Sequence, residues 1–325
     1  MENTPSFRLN SDFRACLFNL RENGMVSNPR GSETRELLNY NITLTDPRNR
    51  VVTFPARKTN VKYLLGEFIW YLTGKNTVDG IVPYAKFWEG IINSGNQDNY
   101  PAGTVNSNYG HRMFGHSILP ALYFGENKIN QWHQTINILT ADKDSRQAVM
   151  NIHLPTDRHA GNKDVACTLT LQWFIREDKL HLIVNMRSND VILGFTNDVF
   201  QFTMLQECMM LQLREVYPDL QLGYYFHNAG SMHLYSRHYE MADKVIADES
   251  TSEVSMIEMD KFDETIAATL ANIESGWRDC GYPEKFNFES INDFHNLSPY
   301  WKSLVKAFFG GDEEESAKIF LPRKN

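Results

Sequence analysis

A chain of 325 residues has room for one large domain or two ordinary ones, each with a full hydrophobic core. Its 32 Lys and Arg against 40 Asp and Glu leave a net charge of -8, which argues against a broad basic face laid along a nucleic-acid backbone; any phosphate must be met locally. Apolar residues at 42%, with 12% aromatic and 22% charged, exclude wholesale disorder, because disordered chains are poor in aromatics and carry a larger charge excess.

The opening MENTPSFRLNSDFRACLFNL has no basic segment followed by an apolar run, and no stretch approaches the roughly 18 apolar residues of a membrane span. A cytoplasmic protein with no membrane partner is expected. Cys16, Cys167, Cys208 and Cys280 stand far apart without a CxxC pair, so neither a disulfide framework nor a metal site is suggested. No repeat period or low-complexity tract interrupts the chain, which reads as one compact unit with long loops.

From Thr59 to Asn76 the spacing of Val61, Leu64, Leu65, Phe68 and Leu72 predicts a helix, with Thr59 as N-cap and Gly74 as its stop. It carries Glu67 among apolar neighbours. A carboxylate there must be paired, hydrated or protonated, unless it simply reaches solvent at the helix edge. Two alternating runs, Val165 to Ile175 and Leu180 to Ser188, read as strands joined by a turn at 176–179. After a loop around Gly194, Phe202, Leu205, Met209 and Leu213 recur at helical spacing within 198–216, predicting a long buried helix with Asp198 in its first turn. A further strand is expected at 220–225, leading through HNAGS to His233 and Tyr235. Residues 251–325 read as a helical, acidic C-terminal extension packed on the same domain as 1–250, with 262–277 amphipathic and the acidic run 312–315 a solvated face.

Cys167 at a strand start, Arg187 and Ser188 at the end of the paired strand, and Asp198 at a helix start could converge on one small anion. Singly, each has a bland reading: a small buried thiol for Cys167, a helix cap for Asp198. A Cys–His hydrolase built from Cys167 with His233 or His238 lacks any supporting signature around the cysteine.

In order and spacing, EFIWYLTG at 67–74, Trp88, DSRQAV at 144–149, Ala166-Cys167, MRSNDVILG at 186–194 and HLYSRH at 233–238 resemble the thymidylate synthase family, which includes the pyrimidine nucleotide hydroxymethylases. The likeness runs from about Arg30 to His238. It implies an α/β fold, a mixed twisted sheet with flanking helices, and a homodimer formed by sheet-to-sheet packing. It implies a pyrimidine nucleoside monophosphate substrate and 5,10-methylenetetrahydrofolate as co-substrate, with no metal and no nucleic-acid partner.

By the resemblance, Cys167 attacks C6 of the pyrimidine, and C5 then takes one carbon from the folate. Arg187 and Ser188 match the family's phosphate pair, Arg30 its mobile N-terminal arginine, and Arg146 an arginine lent by the dimer partner. His233 and Tyr235 match residues on the sugar hydroxyl, Tyr109 a tyrosine beside the nucleophile, and Glu67 the general acid/base glutamate. Trp88, Asp190, Leu193 and Gly194 match parts of the folate site.

The departures are informative. Asp198 stands where methylating synthases place an asparagine that reads uracil; a carboxyl can accept from the cytosine N4 amine and, protonated, donate to N3. Thr168, Ser231 and the pair Thr196-Asn197 also differ from the synthases, and polar residues at 196 and 197 would admit water near the new carbon. The ending PRKN is unlike the small apolar tail that excludes solvent during hydride transfer. Gln147 and Met186 differ beside the phosphate. The reading is therefore transfer of a hydroxymethyl group to C5 of dCMP or CMP, with a dUMP-directed methylase or hydroxymethylase as the alternative and an idle nucleotide- or RNA-binding homologue behind both.

Overall fold

The computed structural model describes residues 8–92, 102–105, 107–115, 130–158, 164–283 and 286–322. The chain-ending residues 323–325, within the tail motif weighed above, lie outside that set.

A mixed sheet forms the centre. In chain order its strands are β1 (Met25–Ser27), β2 (Thr34–Leu44), β3 (Val149–Asn151), β4 (Thr168–Arg176), β5 (Lys179–Met186), β6 (Asn189–Asp190) and β7 (Gln221–Tyr235). Their spatial order is β1-β2-β7-β5-β4-β3, with β6 also on β7. The β7 contacts with β5 and β6 are parallel and the other pairings antiparallel. As expected, β4 and β5 form a hairpin; Glu177 and Asp178 both take positive φ (50° and 52°), the left-handed pair that a tight two-residue turn requires.

The expected strand at 220–225 is longer than the sequence suggests. β7 runs unbroken through HNAGS to Tyr235, because neighbours on both sides satisfy its backbone. Gly230 lies within that run where a Cβ would approach the Arg187 carbonyl to 3.0 Å. β2, its antiparallel neighbour, was not anticipated.

One sheet face is buried by Leu171, Trp173, Ile175, Leu180, Leu182 and Val184, alternating as a pleat demands. The other stays half-exposed along the rows Thr170, Asn185, Asn228 and Gln172, Ile183, Phe226. Asn228 donates to Asn185, and Asn185 to Thr170, each at 3.1 Å.

Helix α1 (Leu9–Asn23) presents Leu9, Phe13, Cys16, Leu17 and Leu20 to the core at helical spacing. Helix α2 (Val61–Leu72) is the expected one, but Asn60, not Thr59, caps it by accepting from Tyr63 N–H at 3.1 Å; Gly74, at φ 62°, follows its end. Short α3 (Tyr109–Phe114) and α4 (Gln131–Ala141) precede the hairpin. Helix α5 (Thr196–Leu213) starts two residues earlier than expected, continuing a wide turn over Val191–Phe195, and is buried along most of its length.

Beyond it lie α6 (Tyr239–Ala247), α7 (Glu264–Asp279), α8 (Pro299–Phe308) and α9 (Glu313–Ile319), with β8 (Val254–Met256) pairing β9 (Phe320–Pro322). Trp301 of α8 stacks on Phe68 of α2 at 6.1 Å, and Tyr84 donates to Glu274 of α7 at 2.9 Å. Helix α2 is thus enclosed on several sides, which explains its run of buried residues from Tyr63 to Tyr71. The acidic run is the start of α9: Asp312 caps it, and three glutamates occupy the turn where the helix dipole favours negative charge.

Candidate functional site

The ends of α2, β4, β5, β6 and β7 and the start of α5 surround a cavity of about 520 Å³. Of the residues singled out from sequence, Arg30, Glu67, Trp88, Tyr109, Cys167, Arg187, Ser188, Asp190, Leu193, Gly194, Asp198, His233 and Tyr235 all line it. Arg146 does not: it is exposed on the connection from α4 to β3, where its carbonyl accepts from Gln172 on the half-exposed sheet face at 3.1 Å. A neighbouring hollow of about 810 Å³ shares Arg30, Arg187, Ser188, His233 and Tyr235 with the first and adds Glu36, His153 and Ser231.

Cys167 sits half-buried immediately before β4. Burial pushes its thiol up, while Arg187 and, more weakly, Arg30 pull it down. The Arg187 Nη2 lies 3.6 Å from the sulfur, and the same guanidinium donates to the carbonyls of Val165 (2.8 Å) and Ala166 (3.0 Å). Tyr109 reaches the strand start, its hydroxyl accepting from Thr168 N–H at 3.3 Å. Arg30 occupies a left-handed conformation at φ 52°, beside Gly31 at φ 80°.

Glu67 does not reach solvent. It is 5% exposed, accepts from Tyr63 O–H at 2.7 Å and Gln201 Nε2 at 3.1 Å, and burial pushes its carboxyl up to about 8. Asp198 does not cap α5, which has no side-chain cap; its Oδ2 accepts from Asn189 Nδ2 at 2.7 Å. Burial raises this carboxyl to about 7. The two acids also repel each other's negative charge, so both hold protons at pH values where ordinary carboxyls have lost them.

Asn189 extends inward to His227, Nε2 to Oδ1 at 3.0 Å, and His227 Nδ1 lies 2.8 Å from the Tyr225 hydroxyl. Gly194 makes room for this chain: a Cβ there would lie 2.7 Å from Asn189 Nδ2. Asp190 caps the wide turn through Ile192 N–H at 2.8 Å and Leu193 N–H at 3.3 Å. His233 pairs with Asp190 across β6 and β7, and burial lowers its basicity. Arg237 lies over the Tyr235 ring, 4.0 Å from its centre.

Thr196 is not the polar cavity residue expected. It is buried, donates to the Ile192 carbonyl and accepts from Arg57, each at 2.9 Å; only Asn197 of that pair faces the cavity. Gln147 is exposed and Met186 buried.

Phe87, Arg57 and Asn189 line the cavity without having been singled out. Phe87 (55% exposed) and Leu193 (47%) leave apolar surface bare beside Trp88. Such bare apolar area in a concave wall suits a flat ring system, so these residues with Asp190 fit a pterin. Among the described residues no His, Cys, Asp and Glu cluster is arranged to hold a metal ion, and no helix is long and apolar enough to cross a membrane.

A family model described as thymidylate synthase matches residues 12–274. The chain is 29% identical over 233 residues to the deoxycytidylate 5-hydroxymethyltransferase of Enterobacteria phage T6, covering 69% of this chain and 85% of the relative. It is 30% identical over 219 residues to the deoxyuridylate hydroxymethyltransferase of Bacillus phage SP01, covering 66% and 54%. Among solved structures, thermostable thymidylate synthase A from Bacillus subtilis superposes with a TM-score of 0.61 at 21% identity, covering 78% of this chain and 90% of that one. That likeness establishes the α/β fold, a mixed sheet with flanking helices.

Proposed function

The chain belongs to the thymidylate synthase family, and on that premise we propose that it transfers a hydroxymethyl group to C5 of dCMP or CMP, using 5,10-methylenetetrahydrofolate and water. Relatives named for deoxycytidylate and for deoxyuridylate are 29% and 30% identical, so identity does not choose the base. The observation that carries the choice is Asp198: a carboxyl on the cavity wall, raised to about 7 and held at one oxygen by Asn189. In its neutral form it can donate to cytosine N3 and accept from the N4 amine. Uracil offers the opposite edge, leaving polar groups unpaired.

Position in the two hollows supports the remaining roles. Arg30, Arg187 and Ser188 meet the nucleotide phosphate, concentrating positive charge in an acidic protein. His233 and Tyr235 face the sugar. Cys167 sulfur bonds to C6 while Asp198 gives N3 its proton, which turns C5 into a nucleophile. When bound, the folate supplies a carbon at the formaldehyde oxidation level. C5 would take that carbon as its two bonds to folate nitrogens break and tetrahydrofolate departs with those electron pairs, and C5 loses its proton with Tyr109 alongside. Water then bonds to the carbon as hydroxyl, its other proton passing to the site's carboxylates, and the sulfur leaves C6 as thiolate while N3 returns its proton to Asp198. Glu67, still protonated near neutrality, supplies and recovers protons around the new bond. Trp88, Leu193 and Gly194, with Phe87, form the stacking wall, and Asp190 faces the pterin's donor edge.

In this reading 1–250 form the catalytic domain and 251–325 an extension that encloses α2, and the protein works in the cytoplasm. The half-exposed sheet face is the surface on which a second copy docks, bringing Arg146 to its neighbour's phosphate site.

Incubation with methylenetetrahydrofolate and C5-tritiated dCMP, CMP or dUMP tests the proposal. Tritium release from a cytidylate without dihydrofolate formation is expected. Release from dUMP alone overturns the base assignment, dihydrofolate overturns the hydration step, and no release from any nucleotide favours a binding protein.

A further inference from the structure

Behind Asp198 stands a buried polar chain that the reaction itself does not use. Asn189, His227 and Tyr225 are at most 3% exposed, on β6 and on the parallel strand β7 beside it. Asn189 links the carboxyl to His227, and His227 links Asn189 to the Tyr225 hydroxyl, at 2.7, 3.0 and 2.8 Å. Phe195 closes over the imidazole edge-on at 5.1 Å.

The chain has a direction. A neutral imidazole carries one proton, so its two nitrogens play opposite parts. Were Nδ1 to donate to Tyr225, the tyrosine's own proton would need another acceptor; among the described residues its hydroxyl has no other hydrogen-bond partner. A buried donor left unpaired costs far more than a satisfied one. The satisfied arrangement runs one way: Tyr225 O–H to Nδ1, Nε2–H to Asn189 Oδ1, Asn189 Nδ2–H to Asp198 Oδ2. Burial, which drives the imidazole's pKa down to about 3, keeps it neutral throughout.

We propose that Tyr225 and His227 are positioning residues that set base preference by holding the Asn189 amide with its NH2 toward Asp198. With a donor fixed on Oδ2, the acid's proton resides on Oδ1, which can give it to cytosine N3. With the amide reversed, Asn189 would present its oxygen and Oδ2 would have to carry the proton. Oδ1 would then only accept, the edge that suits N3–H of uracil. Whether the site reads cytosine or uracil is decided two residues behind the one that touches the base. This rests on the base-reading role proposed for Asp198.

The test compares wild type with Tyr225→Phe and His227→Gln in calorimetric binding of dCMP and dUMP, and observes imidazole nitrogens by NMR in the unmodified protein. His227 is recognised there by its failure to titrate. Expected are a proton on Nε2 and a fall of at least tenfold in the dCMP-to-dUMP affinity ratio in either variant, since loosening the fold alone would weaken both nucleotides alike. A proton on Nδ1, or an unchanged ratio in a folded variant, overturns the relay; the NMR readout stands even if neither variant folds. Wild-type preference for dUMP would instead overturn the cytidylate reading, so the two failures are separable.

Discussion

The Arg187 guanidinium lies 3.6 Å from the sulfur of Cys167 and is held there by the Val165 and Ala166 carbonyls on the segment leading to that cysteine. One side chain therefore faces both the nucleophile and the hollow assigned to the phosphate. Burial alone would leave Cys167 an inert thiol, and Arg187 is the foremost opposing influence. Arg187→Gln should slow iodoacetamide alkylation of Cys167 at neutral pH several-fold and move its pH profile upward. An unchanged alkylation profile would show that the thiol is activated elsewhere. Cys167→Ala should abolish turnover while leaving nucleotide binding intact.

Glu67 makes stability fall as pH rises. Its folded pKa, about 8, lies above the ordinary 4.5, so the folded state binds the proton more tightly. The resulting stabilisation is complete below about pH 4.5 and is lost as pH climbs through about 8. Glu67→Gln removes the titrating group but keeps an acceptor for Tyr63. Between pH 5 and pH 9 its stability should gain on wild type by on the order of 3 kcal/mol in denaturant unfolding. Parallel pH curves for the two proteins would mean that Glu67 is ionised in the fold.

Asp198→Asn should favour uracil. An amide has no acidic proton to give cytosine N3 as Cys167 adds, whereas uracil already carries a proton on N3, so cytidylate turnover loses far more than uridylate turnover. A shift on the order of 100-fold in the dCMP-to-dUMP kcat/KM ratio is expected. Gly194→Ala should move the ratio the same way, because its Cβ would displace the Asn189 amide. If Gly194→Ala leaves the ratio intact, Asn189 does not orient the carboxyl.

The cavity's lining was legible where single residues stand out: a cysteine at a strand start, an arginine–serine pair, an acid at a helix start. Helix α2 and the β4–β5 hairpin were legible because apolar spacing alone determines them. The relay behind Asp198 was not, since Asn189 and His227 become partners only through the parallel register of β6, β7 and β5, which no local pattern displays. Strand β2 was missed because TRELLNYNITL shows little alternation; several of its residues face the half-exposed side. Asp198 resembled a helix cap until the turn at 191–195 moved the helix start upstream.

Arg146 is the one expected site residue lying outside this chain's cavity, and the sheet face beside it decides its use. The half-exposed rows around Ile183 and Phe226 combine apolar area with an asparagine–threonine ladder, a composition able to pair with its own copy across a two-fold axis. Sedimentation velocity should give a dimer, and Ile183→Asp, placing like charges opposite one another at its centre, should give a monomer. Cys167→Ala and Arg146→Ala homodimers should each be nearly inactive. Mixed after dissociation, they form heterodimers in which one site has both an intact sulfur and an intact donated arginine, so activity should return to roughly one quarter of wild type at equal mixing, as random pairing of subunits dictates. An active Arg146→Ala homodimer would place Arg146 outside the site, and failure to recover activity from a verified heterodimer would show that it serves its own chain's site and is not donated across the interface.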